Sequence, residues 1–240
     1  MGPLGDGLLW ELTPEGALPD LAVLLLPGVG GSPADFALWP RYLAPRFRVL
    51  SARYPGRSDC PAPAADLTAL AGELARRLAH HVPEPLVVFG HSLGALIGYE
   101  TAWQLTLRRQ PPLALHASAA LSPPEYGDID LAVGSMDDPA LTRFSGSLGM
   151  PLPRDARQRR AALRAIRHDL TLVDSYRHGA DRPLTYPLTV WTARDDCLIP
   201  SDSATKWQAM SQHKLTHHTL PAEHHYLGLP HAITLIAAHL

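Results

Sequence analysis

The sequence predicts an α/β fold with a mostly parallel, doubly wound sheet, and three observations support this. Short apolar runs, typical of buried parallel strands, recur along the chain. Stretches with helical periodicity separate them. The length of 240 residues, with 46% hydrophobic and 18% charged residues, suits one large globular domain. Strands that alternate with helices imply right-handed crossovers and a sheet covered on both faces.

The first elements are identified from apolar runs and helix caps. Residues 21–26 and 47–52 are predicted as strands, with an edge strand near 8–12. A serine–proline pair starts a helix expected over 32–44. Asp66 caps the next helix, whose leucines recur at spacings of 3, 4 and 4 residues and so share one face. These leucines are Leu67, Leu70, Leu74 and Leu78.

The alternation continues to the end of the chain. Further strands are predicted over 86–89, 113–121, 188–193 and 214–220. Further helices are predicted over 95–109, 201–213 and 230–240. Catalytic groups on such a sheet are expected in the loops that follow the strands.

One long stretch interrupts this order. More than sixty residues separate the strand ending near 121 from the strand beginning at 188, which is too long for an ordinary crossover. Helices are expected over 138–148 and 154–178. We predict that an insertion of about 122–182 forms a helical lid over the active site, within a single domain of residues 1–240. The alternative is an ordinary helical subdomain with a solvated arginine face.

Composition excludes several classes of protein. A net charge of −2 gives no basic field for nucleic acid. No apolar run approaches the roughly 20 residues that span a bilayer. The first residues lack the features of a secretory signal, and Asp6 breaks the myristoylation pattern. Cys60 and Cys197 make no disulfide framework, which favours reduced thiols in a cytoplasmic protein. The sequence is silent on oligomeric state and is compatible with a monomer.

The sequence Gly90-His91-Ser92-Leu93-Gly94 carries the chemistry. It stands between a predicted strand and a predicted helix, which is the context of a nucleophile elbow. The tight turn would clash with side chains beside the serine, so glycines flank it, and the serine itself takes a strained backbone conformation. We predict Ser92 as the nucleophile of an α/β-hydrolase fold.

A serine nucleophile needs a base and an acid that orients the base. On this fold the chain order is serine, acid, histidine. Asp196 follows the strand 188–193 and is the predicted acid, with Asp195 as the alternative. His224 follows the last strand and is the predicted base, with His225 as its rival.

The oxyanion of the reaction requires two backbone N–H groups. One is expected from Leu93, directly after the serine, and the other from Val29 in the glycine-rich loop 27–31. Several histidines occur late in the chain, but they lack the H-E-x-x-H pattern and cysteine partners. We therefore predict no catalytic metal and no cofactor.

These residues resemble a known family, the standalone type II thioesterases that accompany polyketide synthases and nonribosomal peptide synthetases. The similarity covers most of the chain: 25–36 resembles the family's oxyanion loop, and 49–59 its "YPGR" loop. Residues 89–95 resemble its elbow, and 163–176 its second lid helix. The acid and histidine loops are similar as well. The chain departs from the family at Gly28-Val29, where His-Ala is usual, at Ala222-Glu223, where Gly-Gly is usual, and at His225, where an aromatic is usual.

The resemblance implies that the substrate is an acyl or peptidyl thioester on the phosphopantetheine arm of a carrier protein, and that hydrolysis edits or releases chains. Carrier proteins of such systems are generally acidic. A stripe of arginines on the second lid helix is therefore a plausible docking face. It comprises Arg157, Arg160, Arg164 and Arg167.

Other functions are compatible with the same residues, since a fold does not fix a function. A carboxylesterase or an acyltransferase would use the same triad, and relative rates on thioesters, oxygen esters and acceptor molecules distinguish them. A protein that binds acyl carriers without catalysis is the alternative from another class. Loss of turnover on replacement of Ser92 excludes it.

Overall fold

A computed structural model describes residues 2–17, 19–44, 46–57, 64–129, 131–179, 182–200 and 202–240. Its strands are β1 (Gly2–Leu4), β2 (Leu9–Glu11), β3 (Leu21–Leu26), β4 (Phe47–Ala52), β5 (Leu86–His91), β6 (Ala114–Ser118), β7 (Leu188–Ala193) and β8 (Thr216–Leu220). They form one sheet in the order β1-β2-β4-β3-β5-β6-β7-β8. Pairings that involve β1 and β2 are antiparallel and the rest are parallel. The predicted mostly parallel sheet is confirmed.

Five of the helices follow the sequence prediction closely. They are α2 (Leu67–His81), α3 (Leu93–Leu107), α4 (Asp138–Ser147), α5 (Ala156–Ser175) and α7 (Pro230–Ala237). Asp66 caps α2 as predicted, since its carboxylate accepts the Ala69 N–H at 2.8 Å. All four leucines of the predicted face of α2 are buried.

Two helix predictions are wrong in extent. The helix expected over 32–44 is a 3-10 turn at Pro33–Phe36 followed by a short α1 (Pro40–Leu43), because Pro40 lacks the N–H that would continue a helix. The helix expected over 201–213 is a short α6 (Ser203–Lys206) and a 3-10 turn, Trp207–Met210. Tertiary packing ends it there, since the Trp207 indole is fully buried and donates to a carbonyl at 3.0 Å. Ser201 lies outside the described residues.

The core lies on both faces of the sheet because alternate residues of each central strand point to opposite sides. On β3, Leu24 and Leu26 join the apolar cluster under α2 and α3, while Val23 and Leu25 join the cluster under α1 and α7. The parallel strands all end at one edge, so the loops after β3, β5, β7 and β8 gather there.

The chain between β6 and β7 builds a separate apolar cluster, and we call residues 119–187 the β6–β7 segment. It contains α4 and α5, close to the predicted 138–148 and 154–178. The predicted apolar face of α5 is buried; it comprises Leu163, Ile166, Leu170 and Val173. In the described part of the chain, no helix is both long enough and apolar enough to cross a membrane. Cys197 is exposed and unpaired, and Cys60 lies outside the described residues.

Candidate active site

Ser92 occupies a strained turn between β5 and α3. Its backbone angles are φ 55° and ψ −123°, a region that residues with a side chain rarely adopt. The Ser92 N–H donates to the Ser118 carbonyl on neighbouring β6 at 2.7 Å. This bond ties the turn to the sheet. The strained conformation predicted for this position is confirmed.

Gly90 and Gly94 permit this turn because neither position has room for a side chain. A Cβ on Gly90 would overlap the backbone of Gly94, and a Cβ on Gly94 would overlap the carbonyl of Leu26 on β3. Both obstacles are backbone, which cannot move aside as a flexible side chain could. Glycine is therefore a steric requirement on each side of the serine.

The 27–31 loop lies directly beside the elbow. A Cβ built on Gly28 would stand 3.3 Å from the Ser92 Cβ, so a bulkier residue would crowd the serine. The Gly31 N–H donates to the Gly28 carbonyl at 3.0 Å and closes a β-turn. Gly30, at the third position of that turn, has a φ of +70°, which favours glycine.

The hydrogen bonds of this loop leave the Val29 N–H available. The neighbouring Gly30 N–H donates to the buried carboxylate of Asp169 on α5 at 2.8 Å, a contact that the sequence did not suggest. Among the described residues no acceptor takes the Val29 N–H, and Val29 lines the same cavity as Ser92. Leu93 is the first residue of α3, so its N–H has no acceptor within the helix. Both predicted oxyanion donors thus border one cavity.

The structure pairs His224 with Asp196. The His224 Nδ1 lies 2.8 Å from the Asp196 Oδ2, and both side chains are almost fully buried. The other carboxylate oxygen accepts the N–H groups of Leu198 and Ile199 at 2.8 and 3.0 Å. Burial raises the pKa of the Asp196 carboxyl, but the bonds and charge of these partners outweigh it, so the pKa is lowered overall. Asp195, the alternative acid, is exposed.

Ser92 and His224 line one cavity of about 870 Å³ at the carboxyl edge of the sheet. With Nδ1 engaged by Asp196, the Nε2 of His224 is the nitrogen left for a proton transfer. Among the described residues the Ser92 hydroxyl makes no hydrogen bond. Catalytic serine–histidine bonds often tighten only when substrate binds, so the arrangement suits a base that awaits its substrate.

A buried hydrogen-bond network supports the elbow at His91. The sequence did not reveal it. The His91 Nδ1 lies 3.0 Å from the Ser118 hydroxyl, which also contacts the Tyr226 hydroxyl. Burial, and then the charges of the neighbouring histidines, lower the pKa of His91 well below its usual value. His91 is therefore neutral at pH 7. The position of His91 inside the G-x-S-x-G motif is the sequence feature that could have indicated this network.

The late histidines do not form one cluster. His225 is exposed, and its Nε2 lies 2.9 Å from the Leu148 carbonyl on the β6–β7 segment. One ring nitrogen from each of His225, His224 and His91 lies within 4.8 Å of the other two. By contrast, His217 bonds Thr192 at 2.8 Å, and His218 stacks on a tryptophan. His225 thus borders the cavity, but it does not contact the acid.

The far wall of the cavity is apolar and comes from the β6–β7 segment. Its side chains include Leu121, Ile129, Leu131, Phe144, Met150, Ile166, Leu170 and Val173. An alkyl or other apolar chain bound at Ser92 would lie against this wall, with burial of about 25 cal/mol per Å² as the attraction.

The arginine stripe of α5 is shorter than predicted. Arg157, Arg160 and Arg164 are exposed. Arg167 is half-buried, because its guanidinium donates to the carbonyl of Met136 at 2.6 Å and to Asp138 at 2.9 Å. Arg167 therefore anchors α5 to the start of α4 and does not belong to an open docking face.

Comparison with known proteins agrees with this geometry. Residues 22–240 match the family model of the thioesterase domain. The chain is 32% identical to the probable cadicidin biosynthesis thioesterase of Streptomyces griseus, over 78% of this chain and 52% of that protein. It is 31% identical to the thioesterase PikA5 of Streptomyces venezuelae, over 88% and 77%. The solved structure of BorB, a type II thioesterase from the borrelidin biosynthetic cluster, matches with a TM-score of 0.82 at 28% identity, over 96% of both chains.

The chain spans about half the length of the first of these relatives and most of the second. The family match is broader, since it runs from β3 through the elbow and the β6–β7 segment to the last residue. It includes the two loops that carry Asp196 and His224. The chain therefore belongs to the thioesterase domain family, with the α/β-hydrolase fold that its sequence predicts.

Proposed function

We propose that this protein hydrolyses acyl or peptidyl thioesters held on the phosphopantetheine arm of a carrier protein in polyketide or nonribosomal peptide synthesis. The observation that carries the proposal is the hydrogen bond between His224 and Asp196, in the loops after β7 and β8, beside a serine on a strained elbow. The similarity to a type II thioesterase of the borrelidin cluster supports the substrate class.

In the proposed mechanism the Ser92 oxygen attacks the thioester carbonyl carbon, and its proton passes to the His224 Nε2. The N–H groups of Val29 and Leu93 stabilise the oxyanion. The carbon–sulfur bond then breaks, and the leaving thiolate takes the proton from His224. Water attacks the acyl-serine by the same route and releases a carboxylic acid. Asp196, whose lowered pKa keeps it ionised, orients His224 and stabilises its charged form.

The β6–β7 segment supplies substrate binding in this proposal. Residues 122–182 act as a lid whose apolar inner wall holds the acyl chain, within a single domain of residues 1–240. The outer face of α5 carries the exposed Arg157, Arg160 and Arg164, which suit an acidic carrier protein. No step requires a metal ion or an organic cofactor.

The test is hydrolysis of carrier proteins loaded with a panel of acyl groups, followed by mass spectrometry of the carrier. The wild-type protein should release acyl groups, and Ser92→Ala should lower the rate by about 10⁴-fold or more. Ser147→Ala, an exposed serine on α4, is the matched control and should retain the full rate.

Two outcomes contradict the proposal. Turnover that survives Ser92→Ala excludes this nucleophile. Faster cleavage of matched oxygen esters than of thioesters, or transfer of the acyl group to an amine or alcohol, would assign an esterase or an acyltransferase on the same fold.

A further inference from the structure

Two sequence motifs have no part in the proposed mechanism: the Tyr54–Arg57 loop and the Arg167–Leu170 stretch of α5. The structure brings them together at the 27–31 loop. We propose that Asp169 is a positioning residue that, together with Arg57, holds the 27–31 loop in the shape that aims the Val29 N–H at the oxyanion. This inference rests on the proposed function, because it assigns a role in that reaction.

Asp169 and Arg57 form a buried two-point ion pair. The Arg57 Nη1 lies 2.6 Å from the Asp169 Oδ1, and the Nη2 lies 2.8 Å from the Oδ2. The Asp169 side chain is fully buried, and that of Arg57 is only 9% exposed. A planar guanidinium that meets a carboxylate at two points fixes direction as well as distance.

Each member of the pair forms a hydrogen bond with the backbone of the 27–31 loop. The Gly30 N–H donates to the Asp169 Oδ2 at 2.8 Å, and the Arg57 Nη2 donates to the Gly31 carbonyl at 2.6 Å. The Gly30 N–H belongs to the peptide unit next to the one that carries the Val29 N–H. Rotation of the Gly30 unit would break its bond to Asp169. Rotation of the Val29 unit would break the bond between the Gly28 carbonyl and the N–H of Gly31, the residue whose own carbonyl Arg57 binds.

Close packing leaves the loops little room to shift. A Cβ on Gly30 would lie 2.8 Å from the Ile166 side chain, and a Cβ on Gly56 would lie 3.0 Å from His168. Both glycines have positive φ, +70° and +87°. On the opposite side, the fully buried Tyr54 donates its hydroxyl to the Pro27 carbonyl at 3.0 Å.

Stability alone does not account for this arrangement. A buried ion pair usually gives no more stability than apolar residues of similar volume, since desolvation offsets the attraction between the charges. The pair instead fixes the geometry of a loop whose three glycines would otherwise allow many conformations. The role that follows is preorganisation of an oxyanion donor, which acts through electrostatics in a water-poor site.

The same contacts join the apolar wall of the cavity to the 27–31 loop. Ile166 and Leu170 of α5 line the cavity, and Asp169 on the same helix holds Gly30. A shift of α5 would therefore move both. We expect the catalytic rate to depend on the position of this helix, and not only on the fit of the acyl chain.

The test compares two substitutions on α5, Asp169→Asn and Asp174→Asn. Asp174 is the matched control, because its carboxylate also accepts backbone N–H groups, those of Leu131 and Val133 at 2.8 and 3.1 Å, and neither residue belongs to the 27–31 loop. With a small acyl thioester, Asp169→Asn should lower kcat by about 10- to 100-fold with KM within about twofold, approaching the loss seen when an oxyanion donor is removed. Asp174→Asn should change kcat less than about threefold.

A second readout separates positioning from general damage. A trifluoromethyl ketone analogue of the thioester forms a tetrahedral adduct with the serine, so its affinity reports on the oxyanion site. Its inhibition constant should rise with Asp169→Asn by the same factor as kcat/KM falls, and hardly change with Asp174→Asn. Equal effects of the two substitutions on kcat and inhibitor affinity would overturn the inference.

If Asp169→Asn does not fold, Arg57→Lys is the second variant. Lysine keeps the charge but cannot reach Asp169 at two points and the Gly31 carbonyl as well. It should lower kcat severalfold with KM unchanged, and wild-type kcat in Arg57→Lys would contradict the inference. The proposed function fails separately, when the wild-type protein releases no acyl group from a thioester; the ratio between the α5 variants is then measured on whichever ester the wild type cleaves.

Discussion

The elbow and the β6–β7 segment meet at one cavity but are held in place by different forces. The elbow depends on apolar strands and on backbone contacts that exclude side chains at Gly90 and Gly94. The segment depends on buried carboxylates that bind backbone N–H groups and cationic or hydroxyl partners. Glu100 on α3, for example, accepts the Tyr176 hydroxyl at 2.7 Å and lies 3.2 Å from Arg182. Steric exclusion is thus decisive at the elbow, which buried polar bonds also support, whereas in the segment directional polar bonds add to the packing of an apolar cluster.

This difference matches the tasks proposed for the two regions. A nucleophile must sit at one point relative to its base and oxyanion donors, and steric exclusion leaves it no alternative position. A wall for acyl chains needs attachment at a few points and can otherwise adapt. Asp169 joins the β6–β7 segment to the 27–31 loop beside the elbow, through the Gly30 N–H. Substitutions in each region should therefore have different consequences.

The largest effect is expected from Gly94→Ala at the elbow. The new Cβ would overlap the Leu26 carbonyl, and the central strand β3 cannot yield. We expect a loss of about 4 kcal/mol or more in the free energy of unfolding, measured by urea denaturation. Gly72→Ala on α2 is the control, because beyond its chain neighbours and its own helix backbone no atom lies within 4 Å of its added Cβ. It should stabilise the protein by about 0.5–1 kcal/mol, and equal midpoints for both variants would refute the steric explanation.

The same contrast explains how far the sequence predicts the structure. The elbow, the sheet and the helix faces follow from local patterns: Gly90 and Gly94 at fixed spacing, and leucines at helical spacing on α2. The loops that carry Asp196 and His224 were predictable because this fold places them after particular strands. The choice of Asp196 over Asp195 corresponds to the pairing in the structure, where only Asp196 contacts His224.

The ties between segments were not predictable in this way. Arg57 and Asp169 are separated by 112 residues, and an ion pair over that distance leaves no periodic signal. The arginine stripe shows the opposite case, in which a local pattern predicts too much. Helical spacing groups Arg167 with the exposed arginines, but Arg167 is bound to the Met136 carbonyl. The helix expected over 32–44 does not form as one unit for a local reason, because Pro40 cannot continue a helix that begins before it.

An intermediate effect is expected from two phenylalanine substitutions, one in the sheet core and one in the apolar wall of the cavity. Phe89 is fully buried in the sheet core, whereas Phe144 is half-buried and lines the cavity. Phe89→Ala should cost about 3–5 kcal/mol of stability and leave the preference among acyl chain lengths unchanged. Phe144→Ala should cost less stability but lower kcat/KM for long acyl chains by about threefold to tenfold relative to short ones.

Thermal unfolding and a series of acyl thioesters of increasing length measure the two quantities. A shift in chain-length preference from Phe89→Ala, or none from Phe144→Ala, would mean that the β6–β7 segment does not form the acyl wall. The comparison between the two regions would then hold for their stability and not for their function.

The smallest effect concerns the outer face of the β6–β7 segment. Replacement of both Arg157 and Arg160 by glutamate should raise KM for an acyl carrier protein severalfold at low salt and leave KM for a small thioester mimic unchanged, because exposed charges mainly steer association. The control, Arg41→Glu with Arg108→Glu, makes the same change in net charge at exposed sites away from the cavity and should alter neither value. The KM difference should shrink as salt is added, since screening weakens exposed charges. Equal changes for carrier-bound and small substrates would show that these arginines act on the cavity and not on the carrier, which would make the two faces of α5 one functional unit.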